Sequence, residues 1–232
     1  MHQLIQELKF FDKEELKYLN EEIDKMEFGG CQVGFTDGKI ENSRVDTSIR
    51  SSTGLCLQDK SEVANFIHKR MNEVLLTYRD NLINEHKVFD CYPVPGGKDT
   101  TSHREIIQIL EYVEDQKYVF HVDESSMTGS KEFHRKISII IYLSDGFEGG
   151  YTEFVHKKFK PAAGYCLIFP SNWCFPHSGT EVISGKKRVA VTWYHVDDQR
   201  CIGDNMIEPF VIQNEKQAEE LALLRNHQQM NK

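Results

Sequence analysis

The sequence predicts an α+β fold: a double-stranded β-helix, or jelly roll, with N-terminal helices packed on its major sheet and one helix closing the chain. Three observations carry this expectation. Apolar residues in the first third recur at steps of three and four, the spacing of one buried helix face. From about residue 88 the chain breaks into short runs rich in Ile, Val, Tyr and Phe, separated by Gly, Pro, Asp or Ser. Several short strands with turn signals between them imply a sandwich or barrel-like sheet protein. One run, ISIIIYL, is apolar on both faces, as a central strand covered on both sides must be.

At 232 residues the chain can bury one sizeable core, so a single domain is expected. Asp12 with Glu15 forms a capping box. Leu16, Leu19, Ile23 and Met26 then mark a helix that Gly29-Gly30 should end. A strand and loop segment follows at 30–57. The second helix should start near Asp59 or Ser61, with Val63, Phe66, Ile67, Val74, Leu75, Tyr78 and Leu82 as its buried stripe. Together these make 1–87 a helical support region. PVPGGKDTT at 93–101 is a loop signal. EIIQILEYV, YVFHV, KISIIIYL, YTEFV, YCLIF and RVAVTWYHV are the strands of a core spanning 88–200. NEKQAEELALLRNHQQMNK closes the chain as a helix within 201–232.

Charge and cysteine usage exclude several function classes. A formal net charge of −8 argues against a surface that tracks phosphates, so no nucleic-acid partner is expected. No apolar run reaches the length of a membrane span. The N-terminus has no apolar core of a secretory signal. The six cysteines are scattered and no C-x-x-C occurs, which leaves zinc ribbons and thioredoxin-like sites unsupported. Reduced thiols and a cytoplasmic location are the expectation. Nothing in the sequence bears on the oligomeric state.

The chemistry centres on YVFHVDES, residues 118–125. In a strand, His121 and Asp123 project from one face and can converge on one ion. The triplet alone decides nothing: HVD recurs at 195–197, and random placement gives roughly 0.6 His-x-Asp triplets in a chain of this composition. Context separates the two copies. Downstream of the first lie His177, fixed by a preceding Pro, and Lys187 ten residues further on. Two His and one carboxylate on one side of an ion leave open positions, the facial arrangement suited to non-haem Fe(II). From Lys187 on, Val189, Val191, Trp193 and His195 alternate onto one face. A cation on a nearby strand can hold the far carboxylate of a dicarboxylic co-substrate; buried with no ligand it would be costly. A hydrogen-bonded structural trio and a surface lysine are the plainer alternatives.

In this order the motifs resemble the Fe(II)- and 2-oxoglutarate-dependent dioxygenases, and among them the prolyl 4-hydroxylases. The family's H-x-D…H…K pattern matches His121, Asp123, His177 and Lys187. SIRSSTGLCL is similar to its V-R-T-S-S-G-x-F-L segment, and QILEYVEDQKYVFHVD resembles its Q-x-x-x-Y-x-x-G-Q-x-Y-x-x-H-x-D. RKISIIIYLSDGFEGGYTEF resembles R-x-x-T-x-x-x-Y-L-x-x-x-x-x-G-G-x-T-x-F, and W-x-H matches Trp193 and His195. The resemblance covers residues 45 to 197. It implies iron ligands at His121, Asp123 and His177, which are also the catalytic residues. It places Lys187, Tyr112 and Thr152 on the 2-oxoglutarate; within the Lys187-Arg188 doublet spacing favours Lys187, and which of the two faces the co-substrate stays open. It places Tyr118, Arg135, His195 and Trp193 on the substrate. The implied cofactors are Fe(II), 2-oxoglutarate and O₂, with ascorbate a further candidate. The implied reaction hydroxylates a prolyl residue in a peptide or protein and releases succinate and CO₂. Loops at 93–101 and 124–131 are candidates to close over the substrate. A hydroxylase of another side chain or a small molecule, and a non-catalytic jelly-roll binding module, are the alternatives. Where the family has Gly before Gln, this chain has Asp115. Strict alternation puts Tyr118 on the face opposite His121, so a shared site needs a bulge between them.

Overall fold

A computed structural model describes residues 4–31, 45–58, 61–85, 100–124 and 135–198. The expected lids at 93–99 and 125–131, and the closing helix, lie outside the described residues. In order the elements are β1 (Gln6–Lys9), α1 (Lys13–Ile23), β2 (Gly29–Gly30), β3 (Thr53–Cys56), α2 (Glu62–Glu85), β4 (Thr100–Arg104), β5 (Gln108–Tyr112) and β6 (Tyr118–His121). Then come β7 (Arg135–Tyr142), β8 (Glu148–Gly149), β9 (Thr152–Phe154), β10 (Lys157–Phe159), β11 (Tyr165–Pro170), β12 (His177–Gly179), β13 (Val182–Ser184) and β14 (Lys187–Asp198).

The helices form as their sequences dictate. The Asp12 side chain accepts from the Glu14 and Glu15 main-chain N–H groups, and Glu15 answers on the Asp12 N–H. Leu16, Leu19 and Ile23 are buried. The Ser61 hydroxyl accepts from Ala64 N–H at the start of α2. The expected stripe of α2 is buried, with Phe66 partly so. Two expectations are corrected here. α1 ends at Ile23 with Asp24 as its cap, six residues before Gly29-Gly30, which instead pair with β3. The chain also opens with a strand, β1, on the edge of the large sheet beside β11. Its polar QELK alternation is too short to register against the helical pattern that follows.

Among the described residues all strand pairing is antiparallel. The large sheet runs β1-β11-β7-β14-β5-β3-β2, and β4 also pairs with β14. β14 can take three partners because it is 12 residues long: its first half pairs with β5 and its second with β4, while β7 lies along its other edge. Thr100 and Thr101, expected in a loop, thus belong to a strand. A smaller sheet runs β10-β9-β12-β6, and β13 pairs with β8.

β7, which carries ISIIIYL, is central. Ile137, Ile139 and Ile141 pack on the helices with Leu19, Ile67, Met71, Leu75 and Ala190. On its other side Tyr142 packs with Leu110, Tyr112, Leu167, Phe169, Val189, Val191 and Trp193 of the large sheet and with Phe154 and Phe159 of the smaller one. The helices therefore cover one face of the large sheet, and the second sheet covers the other. The cleft between the sheets holds the candidate site.

Candidate metal centre and co-substrate pocket

His121 ends β6 and His177 begins β12, and the two stand directly opposite in antiparallel register. Asp123 lies just past the end of β6, so the H-x-D pair is not wholly in a strand, as the spacing alone implied. The Nδ1 of His121 is 2.9 Å from Val119 O, and that of His177 is 3.2 Å from Phe175 O. A carbonyl only accepts, so each Nδ1 carries a proton, and in the neutral ring each Nε2 is then the atom with the lone pair. Those Nε2 atoms face Asp123: that of His121 lies 3.4 Å from Oδ1, and that of His177 lies 3.6 Å from Oδ2. The three ligand atoms on offer all lie within 4.8 Å of one another. The His177 ring is edged by Phe154 and Phe169, which restricts its rotation.

The electrostatics suit a cation. Burial works against ionising Asp123, but His177 and His121 in their protonated form, with the Arg135 guanidinium, override it and hold the carboxyl well below the usual carboxylate range, so the carboxylate is ionised before an ion displaces the imidazole protons. Burial lowers the pKa of His177 against the pull of Asp123, which favours the neutral, ligating imidazole. Two neutral imidazoles and one carboxylate fit Fe(II) and leave the remaining positions for co-substrate and O₂.

A cleft of about 500 Å³, its solvent-open mouth included, runs from this trio to Lys187. Tyr112, Tyr118, Thr152, Ile140, Val191 and Trp193 are among its lining residues. Lys187 does not stand on a strand next to His177, as the spacing suggested: β14 belongs to the opposite sheet, and the lysine reaches the cleft from across it. It pairs in register with Tyr112. Its Nζ sits 5.4 Å from the Tyr112 ring centroid and donates to Gly150 O at 2.7 Å. Among the described residues Lys187 has no carboxylate partner, and burial alone lowers its pKa from 10.5 to about 7. The Gly149-Gly150 turn that offers this carbonyl has φ of 74° and 61°, and a Cβ on Gly149 would lie 2.3 Å from Glu181 O. Arg188 faces the other way, bonded to Glu111, Asn20 and Asp24.

Tyr112 is buried, and burial pushes its hydroxyl up to about 12, so it stays a donor at neutral pH. Thr152 shares a hydrogen bond of 2.7 Å with the Tyr142 hydroxyl. Tyr118 joins the site through the bulge that strict alternation demanded. β12 takes two steps from His177 to Gly179 while β6 takes three from His121 to Tyr118. The Tyr118 ring consequently stacks on His121 at 3.7 Å and 17°. Phe120, between them, is 52% exposed.

Arg135 is heavily engaged. Its Nε and Nη2 fork onto Glu105 at 2.6 and 2.7 Å, its Nη1 reaches Asp123 O at 3.3 Å, and its guanidinium lies 3.6 Å over the Trp193 ring. The main chain of His195 pairs with Arg135 and His103 beside a register shift. Two contributors carried no sequence signal, Glu105 and the buried Ser171; the buried Ser138 next to Asp123 stands at the T position of the R-x-x-T motif, which by itself named no role for it. A lone Glu or Ser in a strand pattern is indistinguishable from any other until the fold brings its partner to it.

Residues 107–195 match the family model described as the 2OG-Fe(II) oxygenase superfamily. The matched region takes in His121, Asp123, His177, Lys187 and Tyr112. A protein of Acanthamoeba polyphaga mimivirus, whose name assigns it to the prolyl 4-hydroxylases, is 28% identical over 187 residues, 71% of this chain and 68% of its own length. A PKHD-type hydroxylase of Shewanella frigidimarina is 32% identical over 91 residues, 35% of this chain and 39% of its own length. The collagen prolyl hydroxylase of Paramecium Bursaria Chlorella virus-1, solved with 2OG, superposes with a TM-score of 0.57 at 20% identity, over 83% of this chain and 96% of that one. A Trichoplax adhaerens prolyl hydroxylase in complex with a hypoxia inducible factor peptide gives a TM-score of 0.60 at 15% identity, over 85% of each chain. Both structures share the fold. Among the described residues no helix is long and apolar enough to cross a membrane.

Proposed function

We propose that this protein hydroxylates a prolyl residue of a peptide or protein, with Fe(II) and 2-oxoglutarate, and that its two facing sheets form a double-stranded β-helix. The observation that carries the reading is one cleft lined at once by the His121, Asp123 and His177 trio and by a buried, carboxylate-free Lys187. The relatives named above are prolyl hydroxylases or related hydroxylases, which supports a prolyl substrate.

In this reading His121, Asp123 and His177 hold the iron, and Lys187, Tyr112 and Thr152 line the seat of the 2-oxoglutarate. Bound iron and 2-oxoglutarate would supply the chemistry by activating O₂, of which one oxygen atom enters the C–H bond and the other the succinate formed with CO₂. The protein's share is placement. The two main-chain carbonyls fix the imidazole tautomers. Lys187, protonated on pairing with an anion, anchors one carboxylate of the dicarboxylic acid. Leu110, Val189 and Val191 keep water from the cleft and so strengthen that pairing. Tyr118 and Trp193 line the same cleft and are the proposed substrate walls, with Arg135 and His195 as further proposed substrate contacts.

The test incubates the protein with Fe(II), 2-oxoglutarate and proline-rich peptides, following succinate release and a gain of one oxygen in the peptide by mass spectrometry. His121→Ala should abolish both. Turnover that survives this substitution, or no oxidised peptide beside active succinate release, refutes the iron site or the prolyl substrate respectively.

A further inference from the structure

Along β7, Ile137, Ile139 and Ile141 pack with the helices, while Ile140 and Tyr142 pack on the other side of the sheet and Ser138 bonds to Asp123. Ser138 is a hydroxyl in an otherwise apolar setting. It lies in register with Phe169 on one side and Trp193 on the other, and it is 1% exposed. A buried hydroxyl is costly unless its hydrogen bonds are made. Here they are made in one direction. The Ser138 hydroxyl lies 2.7 Å from Asp123 Oδ2 and 2.8 Å from the Ser171 hydroxyl. An ionised carboxylate only accepts, so Ser138 spends its single proton on Asp123. Ser171 must then donate to Ser138. Ser171, equally buried, is held from both sides: its N–H donates to Lys136 O, and its carbonyl accepts from Glu124 N–H. The hydroxyl relay is thus anchored to β7 and to the residue that follows Asp123.

We propose that Ser138 is a positioning residue for the metal centre. Backed by Ser171, it holds Oδ2 of Asp123 so that the carboxylate presents Oδ1 as its single ligand atom. This deepens the iron-site reading above and rests on it. The arrangement has a chemical purpose. A carboxylate free to rotate can take a metal through both oxygens and fill a position that co-substrate or O₂ needs. A charge-assisted hydrogen bond to one oxygen opposes that.

The test uses the metal-free full chain, titrated with Co(II) without oxygen or peptide while the visible absorption spectrum is recorded. Ser138→Ala should weaken Co(II) binding about 10- to 100-fold and alter the intensity of the d–d bands as Asp123 becomes bidentate. Ser138→Thr, which keeps the hydroxyl, should restore both. Ser171→Ala should give a smaller change in the same direction. Ser138→Ala with wild-type affinity and spectrum overturns the proposal. So does weaker binding with an unchanged spectrum and an equal loss of metal-free stability, which assigns Ser138 to packing alone. His121→Ala separates the two levels. If it too binds Co(II) normally, the metal centre itself fails and takes the proposal with it. If it loses binding while Ser138→Ala does not, only the role of Ser138 falls.

Discussion

Replacing Lys187 by methionine should stabilise the metal-free, ligand-free protein while destroying its affinity for 2-oxoglutarate. The lysine is buried with no carboxylate beside it, and burial alone carries its pKa from 10.5 to about 7. Against the solvated lysine of the unfolded chain, that costs the charged folded form on the order of 5 kcal/mol. The hydrogen bond to Gly150 O returns about 1–2 kcal/mol and is lost in the variant. Methionine fills a similar volume with no charge, so Lys187→Met should gain roughly 3 kcal/mol below pH 7. The pH dependence carries the proof. Between pH 7 and 10.5 the unfolded chain holds the Lys187 proton and the folded one does not, so wild-type stability rises with pH across that window. The gap should be widest at pH 6.5 and nearly gone at pH 9.5, because other titrating groups cancel between the two proteins. Urea unfolding at several pH values measures it, and a Mn(II)-loaded thermal shift with 2-oxoglutarate shows the lost binding. A gap that does not change with pH, or a variant less stable than wild type at pH 6.5, refutes the idea that Lys187 is a cation held in place for a ligand.

The same titration should show in ligand affinity. 2-Oxoglutarate binds the protonated lysine, so raising the pH from 6 to 8 should weaken its binding about tenfold, measured by calorimetry with Mn(II). A flat profile removes Lys187 from the pocket's anion site. Asp115 has φ of 66° in the turn from β5 to β6, a conformation that a β-branched residue resists. Asp115→Val should therefore cost about 1–2 kcal/mol in chemical unfolding, and Asp115→Gly should cost nothing or stabilise slightly. Glu105→Ala leaves the Arg135 guanidinium without its fork in a mostly buried place, their side chains being 12% and 14% exposed. A loss of about 3 kcal/mol is expected, with a change in tryptophan fluorescence as Arg135 leaves the Trp193 face. No spectral change would mean the stacking survives without Glu105.

Much of the site was legible because strand chemistry is local. His121 and Asp123 are two residues apart, and the side chains on either side of a single residue are close wherever the chain goes. Alternation along KRVAVTW, with one neighbour in and the next out, separates Lys187 in the cleft from Arg188 on the helix side. Alternation also raised the conflict at Tyr118. The register shift against β12 that removes it is a property of two strands and cannot be written in one. The capping box of α1 and the buried stripe of α2 were equally local. β1 was missed because a four-residue polar edge strand has no pattern of its own; it exists because β11 offers it an edge.

By itself the sequence determined the alternation of faces, the helix start at Asp12 and the order of the chemistry-bearing residues, since each depends on neighbours within a few residues. Tertiary structure alone decided that Lys187 approaches from the opposite sheet, that Arg135 is tied to Glu105 and Trp193, and that Ser138 and Ser171 stand behind Asp123. Those contacts join residues 15 to 58 positions apart. No local rule of spacing reaches that far. Only the closure of two sheets over a common core supplies the partner that gives each of these side chains its role.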